Sequence, residues 1–149
     1  MYNNAYDYGL KYELKFLNYL NKFIENEIIH NKNDQFFYCD FNIKNDVGKV
    51  ILSIEIKTRN YLDNYETIFL SSSKFDKFNE YKKTNEYDKN CKFIVIWYDI
   101  QNKQFYFSEI SNLLNYHNKN NTISYIPKNI LQYGNKEDLQ NFITDTLCY

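Results

Sequence analysis

The stretch CKFIVIWYDI, residues 91 to 100, constrains the fold more than any other part of this chain. From Phe93 to Trp97 it is unbroken β-branched and aromatic sequence, with no polar position to face water. A strand of that kind has to be covered on both faces. The surrounding elements therefore need to supply a layer above and a layer below one sheet.

The remaining periodicities provide those layers. Tyr6, Leu10, Leu14, Leu17, Leu20, Phe23, Ile24 and Ile28 recur at helical spacing, which predicts an amphipathic helix from residue 6 to about 29, stopped by HNKND. QFFYCDFNI (35 to 43) and KVILSIEIK (49 to 57) read as the two arms of a β-hairpin around the polar, glycine-bearing KNDVG. ETIFL (66 to 70) reads as a further strand leading into SSSKFDKFNEYKK, where the serines are expected to cap a helix carrying Phe75, Phe78 and Tyr81. After the 91 to 100 run, KQFYF is expected to be a strand entering a short helix near Ser108, TISYIP an edge strand stopped by Pro127, and NKEDLQNFITDTL a closing helix. The expected architecture is mixed α/β, with a central mixed sheet flanked by helices, in a single domain spanning 1 to 149.

Charge and cysteine usage narrow the setting. A net charge of −1 is not the footprint of a generally basic nucleic-acid binder, so any such binding has to come from local clusters. Asn, Tyr, Lys, Ile and Phe are in excess beside three glycines and one proline; all five have A- and T-rich codons, so the number of aromatic residues is not itself a sign of base stacking. Cys39, Cys91 and Cys148 are far apart and lack a CxxC pair, which reads as reduced thiols of a soluble, intracellular protein. No apolar run approaches the roughly 18 residues of a membrane span, and no membrane partner is expected.

Within the second hairpin arm lies SIEIKTRN, with the chain's single arginine, Arg59. The Glu-x-Lys triplet is cheap, because Glu13-Leu14-Lys15 and Glu80-Tyr81-Lys82 repeat it. Residues two apart share a face on a strand but not on a helix, and Glu55 and Lys57 alone fall in a strand pattern. There Leu52, Ile54 and Ile56 alternate with Ser53, Glu55 and Lys57. Asp40, on the paired strand, is placed to project toward Glu55, whereas its rival Asp46 belongs to ordinary turn chemistry. Two carboxylates and a backbone carbonyl suit a hard cation such as Mg²⁺, with an adjacent lysine to orient water. The alternative is a solvated strand face with no task. His30 and His117 lack partners at metal-ligand spacing and read as structural or surface residues, and no glycine-rich phosphate loop, nucleophile elbow or zinc cluster is present.

Asp40 followed by Glu55-Ile56-Lys57 resembles the core signature of the PD-(D/E)xK nuclease superfamily, which includes restriction endonuclease-like enzymes and Holliday-junction resolvases. Gly9 followed by Glu13 resembles its GxxxE element, and LSSSKFDKF its helix after the third core strand, with Lys74 near the start. The likeness spans roughly residues 6 to 100, although no proline precedes Asp40. It implies a restriction endonuclease-like core and hydrolysis of phosphodiester bonds in DNA with Mg²⁺, for which Mn²⁺ substitutes. Asp40, Glu55 and the Ile56 carbonyl, with Glu13, would bind metal. Lys57 and Lys74 would act with Asp40 and Glu55 in catalysis, and Arg59, Lys74, Lys77 and Lys82 would contact nucleic acid. Many small nucleases of this type pair to cut both strands, so a homodimer is compatible. The alternatives are an inactive domain of this fold that binds nucleic acid or a protein partner, and an unrelated α+β interaction protein.

Overall fold

A computed structural model describes residues 5–31, 38–60 and 62–147, with side chains described from Gly9 onward. Its organising element is the run singled out above: β5 (Tyr87–Asp99) lies inside a six-stranded sheet, with Ile94, Val95, Ile96 and Trp97 all completely buried. The sheet order is β1 (Glu27–His30), β2 (Phe41–Lys44), β3 (Val50–Arg59), β5, β6 (Gln104–Glu109) and β8 (Gln132–Gly134). β3 and β5 run parallel, and every other pair in this sheet is antiparallel. A parallel pair needs a crossover, supplied here by β4 (Thr67–Ser71) and α2 (Ser73–Lys82).

Alternation along β3 and β5 feeds two cores. Leu52, Ile54, Ile56, Ile94 and Ile96 pack with Phe16 and Leu20 of α1 (Ala5–Asn21) and with Leu139 and Ile143 of α3 (Lys136–Leu147). Phe93, Val95 and Trp97 pack on the other side with Phe75 and Phe78 of α2. The same core takes in Ile68, Leu70 and Ile126, which belong to a small second sheet of β4 with β7 (Ile123–Pro127). The β2–β3 turn closes on Gly48 at φ +83° and on the Asn45 side chain, which accepts from the backbone of Val47 and Lys49.

Four expectations are corrected. The first helix ends at Asn21, and Glu27–His30 is a strand paired to β2; Ile28 keeps helical spacing from Ile24, so periodicity alone does not separate the two states. The first hairpin arm is regular only over Phe41–Lys44, with a bend at Tyr38 to Asp40 and with 35 to 37 outside the described residues. β4 leaves the central sheet to pair with β7, so the strands before α2 in that sheet are β1, β2 and β3. The serines do not cap α2 through their hydroxyls: Ser72 Oγ instead meets the Asn118 carbonyl at 3.1 Å and Ser124 Oγ at 2.8 Å. After β6 the short helix is a 3-10 segment over Ile110–Tyr116.

Candidate active site

Glu55 and Lys57 share the face of β3 that α2 covers, opposite Val95 and Trp97 in register. The polar face is therefore not solvated: Ser53 is completely buried and Glu55 is 2% exposed. A carboxylate in that position requires charge partners. Lys57 Nζ stands 2.7 Å and Lys74 Nζ 3.3 Å from the same Glu55 oxygen, Oε2. The second lysine arrives from the first turn of α2, where a cation opposes the helix dipole; the Glu55 carboxylate offsets that cost.

Asp40 sits one residue before β2. Its backbone N–H donates to the Ile54 carbonyl at 2.9 Å, and its Oδ2 accepts from the Ile56 N–H at 2.8 Å. Carbonyl and N–H of a strand residue leave the same side of the chain, so the Ile56 carbonyl also opens toward Asp40. Burial first, then the negative charges of Glu55 and Glu13, hold the Asp40 carboxyl well above the usual carboxylate range, against the pull of the Ile56 N–H and Lys57. Burial opposes the charge on Lys57, but Glu55, with help from Asp40, outweighs it and raises the ammonium above its ordinary value. Lys57 is thus a fixed cation at neutral pH and not a proton acceptor.

Glu13 reaches this cluster electrostatically while its Oε1 pairs with His30 Nε2 at 3.0 Å, and the His30 ring stacks on Phe41 at 4.8 Å. The expected helix to about residue 29 hid this partner, because it left no strand to bring His30 to the β2 edge. Among the described residues, no three His, Cys, Asp or Glu side chains converge as a ready metal cluster. The donor set is the pair Asp40 and Glu55 with the Ile56 carbonyl. That set fits Mg²⁺, which takes one or two carboxylates and fills its other positions with water. Burial and the Glu55 and Glu13 charges disfavour the ionised Asp40 carboxylate, a cost that a cation held there would offset.

The expected basic surface divides into separate places. The Arg59 guanidinium lies 5.1 Å from the centre of the Phe69 ring and donates to the Thr58 carbonyl; burial lowers its pKa, with Glu55 acting in the opposite sense. Lys77 is one turn beyond Lys74. Lys82 lies over the Phe78 ring at 5.7 Å, about 12 Å along the helix from Lys74 at 1.5 Å per residue. Beneath the site, Tyr38 and Ser53 hydroxyls meet at 2.6 Å and Ser53 donates to Asn42 Oδ1 at 2.6 Å. Neighbouring Cys39 is a packed thiol, pushed up by burial and then by the Glu55 and Asp40 charges.

The order of these elements is that of a restriction endonuclease-like fold, with Asp40 just before β2 and Glu55 on β3. D212, described as a nuclease from a fusselovirus, superimposes with a TM-score of 0.58 at 15% identity, over 99% of this chain and 96% of its own. Hjc of Archaeoglobus fulgidus, a Holliday junction resolvase, superimposes with a TM-score of 0.51 at 17% identity, over 80% of this chain and 87% of its own. No protein-family model matches the sequence, and no curated protein sequence does. Among the described residues no helix is long and apolar enough to cross a membrane.

Proposed function

We propose that the protein is a metal-dependent nuclease that hydrolyses phosphodiester bonds in DNA, with Mg²⁺ as its metal and Mn²⁺ as a substitute. The observation that carries this reading is the meeting of Asp40, Glu55 and Lys57 around Ile56. Asp40, Glu55 and the Ile56 carbonyl would hold the cation, with Glu13 in electrostatic support. The cation, when bound, lowers the pKa of a coordinated water and offsets charge on the phosphate. Lys57, fixed as a cation, orients the attacking water and stabilises the negative charge that grows on the phosphoryl oxygens. Lys74 holds Glu55 from the opposite element and adds positive charge beside the phosphate path.

The test is cleavage of labelled DNA and RNA with Mg²⁺, with Mn²⁺ and with chelator, alongside calorimetric titration of the metal. DNA is expected to be cut only with metal, and Asp40→Asn and Lys57→Ala to lose cutting. Absence of cleavage on every substrate with either metal overturns the proposal. A second reading, an inactive domain of the same fold that binds nucleic acid or a protein partner, is favoured by one observation. Lys57 and Lys74 both bear on Glu55 Oε2, and so already neutralise the carboxylate that a cation would use. Calorimetry without a divalent-metal site would select that reading.

A further inference from the structure

On the opposite face of β3 from Glu55 and Lys57, a groove of about 320 Å³ runs between α1, the ends of β3 and β5, and the start of α3. Its volume lies in the range of small-molecule sites, roughly 300–1,000 Å³. Ile56, whose N–H holds Asp40, also lines this groove together with Thr58. Groove and candidate site therefore meet at the Ile56 backbone from opposite faces of β3.

Its walls combine two chemistries. Tyr12, Tyr19 and Tyr98 supply rings, with Tyr12 and Tyr98 centred 5.8 Å apart and tilted by 48°. Lys15, Lys103 and Lys136 supply charge from three separate elements, and the lining contains no Asp or Glu. In a chain whose net charge is −1, a wall bearing three lysines and no carboxylate is a local positive site. Lys103 adds a second observation. It is the sole described non-glycine residue at positive φ, +55°, in the β5–β6 turn, a conformation that glycine or asparagine adopts at less cost. The Lys103 side chain lines the groove.

We infer that this groove binds an unpaired nucleic-acid strand, with bases stacking on its tyrosines and phosphates meeting Lys15, Lys103 and Lys136. This rests on the nuclease reading of the site on the other face of β3 and specifies its substrate as one that has a single-stranded stretch. Aromatic rings interleaved with cations are what sequence-tolerant single-strand binding uses. Bases inside a duplex are already stacked on their neighbours and offer no face to a ring in a groove. Here the position of the tyrosines carries the argument, since their number reflects composition.

The experiment is fluorescence anisotropy of a labelled 12-nucleotide single strand and of the blunt duplex of the same sequence, in chelator so that nothing is cut. The parent is expected to bind the single strand at least about tenfold more tightly than the duplex, since each stacked base contributes a factor of that order. Tyr12→Ala and Lys103→Gly are expected to weaken single-strand binding several-fold, with Lys103→Gly melting at or above the parent temperature because strain is released. Equal affinity for the two forms, no binding to either, or parent-like binding by both variants overturns the inference. Cleavage without single-strand preference would defeat the groove and leave the nuclease reading standing. Single-strand preference without cleavage would do the reverse.

Discussion

Asp40 carries the main electrostatic conflict of the site. With its folded pKa raised above the unfolded value of about 3.9, the metal-free protein holds this proton more tightly than the unfolded chain does. That contribution to stability is fully present below about pH 4 and is lost as the pH rises through the raised value. Asp40→Asn keeps an acceptor for the Ile56 N–H and removes the ionisation. In chelator at pH 7 the variant is therefore expected to melt above the parent, with the gap closing toward pH 4; thermal melts across pH 4 to 8 check it, and a gap independent of pH would refute the account. Glu55 poses the opposite case. Glu55→Gln leaves the Lys57 and Lys74 ammonium groups facing a neutral amide. Both lysines keep some exposure, so a loss of about 1–3 kcal/mol is expected in denaturant titration, together with loss of cleavage. Lys57→Ala leaves Glu55 with the more distant Lys74 alone and is expected to lower the melting temperature while cleavage falls by roughly 10²–10³.

At the scale of elements, the site depends on a strand that periodicity did not reveal. β1 is an edge strand whose His30 pairs with Glu13 and stacks on Phe41. Phe41 is completely buried and also meets Phe16 of α1 at 5.8 Å. Phe41→Ala is expected to cost about 3–5 kcal/mol and to weaken cutting as well, because it loosens the β1–β2–α1 junction beside Asp40; unchanged unfolding by denaturant would show that the junction does not bear on stability. α2 shows how far local sequence reaches. Phe75 and Phe78 mark its buried face, and that face is what turns Lys74 toward β3. The serine run ahead of it promised side-chain caps, yet tertiary partners at Asn118 and Ser124 claim the Ser72 hydroxyl.

For the whole molecule, a net charge of −1 means that metal and nucleic acid are drawn by local fields and not by the total. Mg²⁺ or Mn²⁺ binding to the folded state alone should raise stability by about 2.7 kcal/mol at a concentration 100 times Kd. The melting temperature of the parent is therefore expected to climb with added Mg²⁺, while Asp40→Asn and Glu55→Gln show little response; equal shifts in all three would place the cation elsewhere.

Sequence by itself determined the covered central strand, the helical layers and the shared strand face of Glu55 and Lys57, because these follow from periods of 2 and 3.6 written into adjacent residues. It also marked Asp40 as the carboxylate on the neighbouring arm. Tertiary structure decided that the polar face of β3 is buried under α2, that β4 belongs to a second sheet, that His30 partners Glu13, and that Arg59, Lys74 and Lys82 occupy separate surroundings. Those facts depend on which elements cover one another, and contacts between residues distant in the chain leave no period in the sequence that joins them.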